Sequence, residues 1–492
     1  MTKKTILVWP VLLLICLSVF AGGGGDRAKA SGSAPIELVY YVGGRGAQVD
    51  LPAVLVEVNK YLVDKIGCTL KIIETDFGNY NQKLQMVIAS QEEFDLCYTA
   101  DWSGDFYGNV SKNAFLELDD LIDRYTPQLK TDIPANGWEA TKVNGKIMAV
   151  PNQQIWARSN GWAAEVAYLE KYNFNPTNVK KVADLEPLLA AIKRDNPTWY
   201  PLSAHTDGIL DFLTYYMGYD ELIGRHIPGV ILFTDNSLKV VNQFELPQVQ
   251  EHYRLMRQWN QKGYIRPDAA TVTDISADSK AGRLPVGFPG TMKPGQDVQD
   301  TISNGGRPIK SFALSTPIQT TSGITGTMTA ISRTSKHPDK AIQFINLMNS
   351  DKYLYNLIIN GIEGKHYTWI DKDFIRPIPN SGYTPNADWM YGNQFLAYFK
   401  EGQSVTDWDE TIKINASAKP SPALGFVFNP IPVQTEIAGV SAVVKEYELA
   451  LDTGAVDPDR VLPEFLAKLK GAGSDILIAE LQKQLDAWKR SK

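Results

Sequence analysis

The sequence predicts an α/β protein, and three patterns carry that expectation. Ile36-Glu37-Leu38-Val39-Tyr40-Tyr41-Val42, Thr69–Thr75 and Phe94–Ala100 are dense apolar runs of strand length. Between them run helical stripes, Leu51, Val54, Leu55, Val58, Leu62 and Ile66 up to Gly67, then Leu84, Val87 and Ile88. Strands that are apolar along their whole length and alternate with helices imply a parallel sheet covered on both faces.

The N-terminus stands apart from this grammar. Lys3 and Lys4 precede an uncharged stretch from Thr5 to Gly25 with apolar blocks and a glycine run, the order of an export signal, so it is set aside from the fold. The small-residue cleavage rule is met after Ala21 and after Ala30. Ala30 is preferred, because Ser31-Gly32-Ser33-Ala34-Pro35 reads as a solvated lead-in to the first strand, and an uncleaved N-terminal anchor is the alternative. Removing residues 1–30 takes away Lys3, Lys4, Arg27, Lys29 and Asp26, which changes the net charge from −6 to −9. That acidic, unpatterned balance argues against nucleic acid or an anionic membrane as the main partner.

The mature length exceeds what one core supports, since domains run ~100–200 residues, so two or three are expected. Cys16 lies inside the signal. Cys68 and Cys97 lie in or beside apparent buried strands and read as packed thiols, with a disulfide as the alternative. Five scattered histidines and no Cys-x-x-Cys spacing imply no metal, and nothing implies a cofactor.

A second module begins after the turn Asn144-Gly145-Lys146, which leads into strand Ile147–Val150 and Pro151. It is predicted to hold a helix over Val182–Arg194, a strand near Tyr200–Ser203, and a hairpin of Val230–Phe233 with Leu238–Val241. A helix over Pro247–Lys262 stopped by Gly263 follows, then strands Leu284–Phe288 and Ser311–Leu314. Gly326–Ser332 reads as a strand feeding a helix from Pro338, which resumes the first module and makes that domain discontinuous. Val433–Asp452, Pro463–Ala472 and Ile476–Trp488 form a helical tail.

Ligands in open parallel sheets bind beyond the carboxyl ends of the strands. The candidates there are Arg45 within Gly43-Gly44-Arg45-Gly46, Asp76 and Tyr80, Asp101 and Trp102, Gln153 and Trp156, His205, and Phe288. Rings mixed with amides and carboxylates suit a sugar or polar oligomer, because ring faces pack on CH patches while fixed polar groups pair with hydroxyls. Any one of the rings could instead fill an interdomain seam. Gly44-Arg45-Gly46 lacks the third glycine of a dinucleotide fingerprint and the Lys-Ser/Thr pair of a nucleoside-triphosphate loop. Glu363 and His366 are further ligand candidates, but Gly361 and Gly364 break the helix that would align them as a metal or acid/base pair. Glu363 or Asp101 would suit a glycosidase, which needs two facing carboxyls, yet spacing pairs neither. No Gly-x-Ser-x-Gly elbow occurs, so no catalytic residue is assigned.

The order Asp95-Leu96, Ala114-Phe115-Leu116-Glu117-Leu118 and Asn144-Gly145-Lys146-Ile147-Met148-Ala149-Val150-Pro151 resembles the family 1 extracellular solute-binding proteins of sugar ABC importers. Lys262-Gly263-Tyr264-Ile265-Arg266-Pro267-Asp268 and Ile331-Ser332-Arg333-Thr334-Ser335-Lys336-His337-Pro338 add to the likeness. Gly361-Ile362-Glu363-Gly364-Lys365-His366-Tyr367 is similar to the LipO-like branch, and the tail from about Gly425 resembles its DUF3502 domain.

The resemblance implies a two-lobed periplasmic-binding-protein-like fold of type II, with parallel-sheet lobes joined by hinge strands. It divides the chain into 36–151 plus 324–372 for the first lobe and 152–323 plus 373–424 for the second, with 425–492 packed on the second lobe. It further implies a hinge at Pro151, Asn152, Thr325 and Gly326, a sugar or oligosaccharide between the lobes, a membrane permease as partner, and a monomer without enzymatic activity. A peptide or other polar oligomer, or a secreted carbohydrate-active enzyme, are the alternatives. Gly23 stands where a lipid-anchored relative would carry cysteine, so export to a periplasm or cell envelope without a conventional lipid anchor is expected.

Overall fold

The computed structural model describes residues 34–44, Gly46 and 48–491. The export signal, its cleavage sites, Cys16, Gly23 and Arg45 lie outside the described residues. No helix among the described residues is long and apolar enough to cross a membrane.

From Ile36 onward the alternation read from the sequence is present. Strand β1 (Ile36–Gly44), helix α1 (Leu51–Ile66), β2 (Cys68–Asp76), α2 (Phe77–Ala89) and β3 (Leu96–Thr99) follow one another. Helix α1 buries Val54, Val58 and Leu62, spaced to share one face, and ends at Gly67. β1 lies between β2 and β3 and runs parallel to both. Cys68 is opposite Ile36 and Cys97 opposite Tyr41, so the thiols sit two strands apart and five residues out of step. At ~4.8 Å between strands and ~3.3 Å per residue that offset is far beyond disulfide reach, and both cysteines are free and buried.

The chain then turns through a two-residue hairpin, Lys142–Val143 against Lys146–Ile147, before β4 (Val150–Pro151). The strand expected over 147–150 is therefore split in two. Past β4 the chain enters a second core. There β5 (Gly161–Glu165) is flanked by two later strands, with α3 (Glu186–Asp195), β6 (Tyr219–Glu221), β7 (Val230–Leu232) and α4 (Pro247–Gln261) between them in sequence. The flanking strands are β8 (Val286–Gly287) and β9 (Ile309–Ala313), both antiparallel to β5. This three-stranded sheet is a correction to the parallel second-lobe sheet expected: its strands are not linked by successive strand-helix-strand crossovers, so nothing imposes parallel pairing. Tyr200–Ser203 contributes one bridge, Leu202 to Val286, rather than a strand. The 230–241 hairpin is also corrected, since β7 pairs with β6 and meets Val241 only at one bridge.

The return path is a short helix, α5 (Thr321–Thr325), then β10 (Met328–Ile331) and α6 (Pro338–Ser350). β10 inserts antiparallel between β3 and β4, completing a five-stranded sheet in the order β2-β1-β3-β10-β4. The chain thus leaves the first sheet on β4 and re-enters on its neighbour.

Two hydrophobic cores result. Leu38, Tyr40, Val42, Phe344 and Ile345 belong to the first, and Trp162, Tyr253, Trp259 and Val286 to the second. The expected boundary at 373 is corrected, because Tyr383, Met390, Tyr391 and Trp408 are buried in the first core. Hydrogen bonds from Tyr355 to the Asp388 carbonyl (2.5 Å) and from Tyr383 to the Ile358 carbonyl (2.5 Å) tie that segment to the first lobe.

The tail forms α7 (Gln434–Asp452), α8 (Pro458–Gly471) and α9 (Ser474–Ser491). α8 starts five residues before the expected Pro463, with the Asp457 side chain accepting from the Asp459 amide (3.1 Å) at its start. Val440, Val444, Leu451, Phe465, Leu477, Leu481 and Leu485 all join the second core. Leu481→Ala removes a fully buried side chain at this seam and is expected to lower stability by ~3 kcal/mol. Urea unfolding monitored by tryptophan fluorescence checks this; a loss below ~1 kcal/mol would place the tail outside the second core.

Candidate functional site

The site is built where the chain crosses between the cores, because buried backbone there must find partners. The Asn152 amide donates to the Thr327 carbonyl (3.0 Å) and Gln154 Nε2 to Thr327 Oγ1 (2.8 Å). Asn415 Oδ1 accepts from the amides of Trp156 (2.8 Å) and Ala157 (3.0 Å), and its Nδ2 donates to the Gln154 carbonyl (2.7 Å). On the return path, Trp102 Nε1 donates to the Gly326 carbonyl (2.7 Å) and the Asp101 amide to the Thr325 carbonyl (3.3 Å). These bonds bring the end of β3 against the return crossover.

Asp101 and Trp102 there line a cavity of about 70 Å³ whose other wall is Arg158, Asn160 and the loop from Asp211 to Arg225. Asn160 Oδ1 accepts from the amides of Tyr215 (2.6 Å) and Tyr216 (3.1 Å), and the Tyr215 hydroxyl hydrogen-bonds with Thr320 Oγ1 (2.9 Å). Trp102 packs against Phe77 (5.4 Å between ring centres) and Trp389 (6.1 Å), so its ring is held from the first-lobe side. Asp101 Oδ1 is buried without a hydrogen-bond partner.

Burial dominates the electrostatics. It pushes Asp101 above the usual carboxylate range, opposed by the positive charges of Arg225 and Arg158. It pushes Asp220 up to about 7, opposed by the Ser421 hydroxyl, and Glu221 up to about 8, helped by the nearby Asp211 charge. Burial works against a charged His226, but the Glu448 carboxylate beside it holds the imidazolium up to about 10. Arg158, Asn160, Asp220, Glu221 and Arg225 together form a polar wall facing the Trp102 ring, with His226 and Glu448 behind it.

Residues 422–490 match the family described as a domain of unknown function, DUF3502. Over 477 residues the chain is 29% identical to a carbohydrate ABC transporter substrate-binding protein of Streptococcus pneumoniae serotype 4 (strain ATCC BAA-334 / TIGR4), covering 96% of this chain and 94% of that one. Along almost its whole length, then, the chain is similar to a substrate-binding protein of an ABC transporter. Two solved structures extend the comparison. The N-glycan transport solute binding protein NgtS of Streptococcus pneumoniae superposes with a TM-score of 0.82 at 27% identity, covering 93% of this chain and 100% of that one. The same protein in complex with Man1GlcNAc gives 0.80 at 27% identity, over 92% and 99%.

The structure brings together only part of the residue set expected from sequence. Asp101 and Trp102 line the cavity. Asp76 is instead the exposed cap of α2, accepting from the Asn79 amide (3.1 Å). Tyr80 is fully buried, its hydroxyl donating to the Tyr98 carbonyl (2.7 Å). Gln153 and Trp156 are buried in the crossover, where Trp156 Nε1 donates to the Asn152 carbonyl (2.8 Å). His205 sits at the foot of the cleft loop, its Nδ1 accepting from the Asp207 amide (3.3 Å), and Phe288 lines a separate groove beside β8.

His366 is buried and pinned: Nδ1 accepts from the Ile362 amide (2.8 Å) and Nε2 meets Asp50 Oδ2 (3.1 Å). Glu363 is exposed on the turn beside it. His366 does border a cavity of about 1070 Å³, but Lys400 and Glu401 there are likewise engaged, with Asn386 (3.3 Å) and Arg376 (2.5 Å). Of the expected hinge residues, Pro151 and Asn152 lie on the outgoing crossover, whereas Thr325 ends α5 and Gly326 follows it, in place of the extended segment expected.

Sequence reasoning does not reach Arg158, Asn160, Tyr215, Asp220, Glu221, Arg225 or Trp389. The signal available was the density of tyrosines, acids and glycines between Asp207 and Gly229, a stretch with no strong period.

Asp220 supplies a pH test. Its folded-state pKa lies above the unfolded value, so the folded state binds the extra proton and stability falls as pH rises through about 7. Asp220→Asn removes that loss. Thermal or urea unfolding is expected to show the variant gaining ~2 kcal/mol on wild type between pH 5 and pH 8; a gap that does not change with pH would contradict the buried, protonated Asp220.

Proposed function

We propose that this chain is the solute-binding protein of an ABC importer, which captures an oligosaccharide between its lobes and delivers it to the membrane permease. One observation carries the reading: Asp101 and Trp102 at the strand ends of the first lobe face Arg158, Tyr215 and Arg225 of the second across one cavity. The Trp102 face suits the CH surface of a pyranose, and the facing amides and ions suit its hydroxyls. The complexes of the similar NgtS protein with Man1GlcNAc and Man5GlcNAc support a glycan of that composition as the ligand class.

The cavity of about 70 Å³ is well below the ~300 Å³ at which small-molecule pockets begin, so a glycan enters only when the lobes part. Rotation at Pro151–Asn152 and at Thr325–Gly326 provides that motion. The glycan then stabilises whichever arrangement it contacts better, and the permease reads the change. The protein works as an exported monomer, by binding without bond chemistry.

Thermal shift with Man1GlcNAc and with unrelated peptides tests the ligand class. A glycan at ~100 times its Kd adds ~2.7 kcal/mol of stability, and Trp102→Ala is expected to weaken binding at least about tenfold, ~1.4 kcal/mol. A shift with peptides alone would overturn the glycan reading. Unchanged affinity in Trp102→Ala would remove that ring from the site. Mass spectrometry of the recovered glycan is expected to find it intact; turnover by the purified protein would establish the enzyme alternative.

A further inference from the structure

Helix α7 belongs to the DUF3502 segment, yet two of its carboxylates reach the underside of the loop that walls the cleft. Asp452 is 2% exposed and accepts the amides of Ile209 and Leu210, the second at 3.0 Å. Its other oxygen meets His252 Nε2 from α4 at 2.6 Å. The turn is shaped around this carboxylate: a Cβ on Gly208, whose φ is +79°, would stand 2.6 Å from Asp452 Oδ2. One helical turn earlier, Glu448 meets His226 Nδ1 at 2.8 Å. His226 Nε2 lies 3.8 Å from Asp211 Oδ1, and the second oxygen of Asp211 pairs with Arg225.

Carboxylates buried on a core-facing helix are costly to desolvate, and apolar side chains of similar volume would serve packing better. Val444 and Leu451 on the same helix do pack in the second core. Both Glu448 and Asp452, four residues apart, instead engage the 208–226 loop. Arg225 is 44% exposed at its side chain, so without Asp211 it would sample many rotamers. Asp211 is itself 3% exposed and is set between Arg225 and the imidazolium.

We infer that α7 positions the ligand site: Glu448, through His226 and Asp211, sets where Arg225 stands in the cleft, and Asp452 holds the Gly208–Leu210 turn at the start of the same loop. The inference rests on the oligosaccharide reading for what the cleft holds. It makes Glu448 and Asp452 positioning residues, acting through groups that border the ligand, and it gives the DUF3502 segment a part in binding as well as in packing.

The test uses the full chain, since the tail shares the second core. Man1GlcNAc affinity is measured by calorimetry for Glu448→Gln, Arg225→Met and the double variant. Each single change is expected to weaken binding about tenfold and the double to be no weaker than the worse single. Asp452→Asn, which keeps the acceptor oxygen, is expected to stay within about twofold of wild type, while Asp452→Ala loses about tenfold.

Unchanged affinity in Glu448→Gln, or losses that multiply in the double variant, would overturn the relay. Hydrogen exchange without ligand gives a separate reading: amides 207–226 are expected to exchange faster in Glu448→Gln, with β5 unchanged, and uniform exchange would overturn the inference whatever the protein binds. Wild type that ignores the glycan, with the loop effect present, would instead overturn the ligand and leave the positioning role. If Glu448→Gln does not fold, Asp211→Asn breaks the same relay at its centre and is read by the same outcomes.

Discussion

Buried backbone at the crossing between two cores must be hydrogen-bonded, and the cleft is organised around that requirement. Asn415 supplies both an acceptor and a donor to the outgoing segment 154–157, doing with one side chain what a neighbouring strand would otherwise do. On the return path the Gly326 carbonyl is taken by the Trp102 indole. The ring that lines the cavity therefore also closes the crossover. Under the proposed hinge at 325–326, movement of the lobes would carry the aromatic wall with it through this bond.

The second lobe shows the complementary constraint, that buried charge must be neutralised or paired. Asp220 and Glu221 respond by holding protons into the neutral range, whereas His226 stays charged because Glu448 lies beside it. The C-terminal helices are thus continuous with the lobe in two senses. Leu477, Leu481 and Leu485 fill its core, and Glu448 and Asp452 extend its polar wiring.

The first lobe was legible because its residues obey strong periods. Leu38, Tyr40 and Val42 with Leu51 to Ile66 admit little but a strand followed by an amphipathic helix, and the return at Gly326–Ser332 was visible as the same grammar resumed. The second lobe was less so. β8 and β6 are only two and three residues long, too short to leave a pattern, and their pairing is set by long-range contacts. Segment 383–408 has no marker of allegiance at all until Tyr383 and Trp408 are seen buried in the first core. In the site, strand-end reasoning reached Asp101 and Trp102 but could not separate them from Asp76 and Tyr80, since capping a helix and facing a cleft draw on the same residue types at the same place. Arg225 and Tyr215 were invisible because the loop that carries them is held by residues distant in sequence, Asn160 at the Tyr215 amide and Asp452 at the Ile209 and Leu210 amides.

If one glycan is held by both lobes at this crossing, a crystal structure of the protein with Man1GlcNAc will show it. The expected density is a sugar ring packed on Trp102, with hydroxyls within ~3 Å of Arg158 or Arg225. Density confined to one lobe, or seated in the separate cavity beside Tyr383 and Lys400, would contradict it.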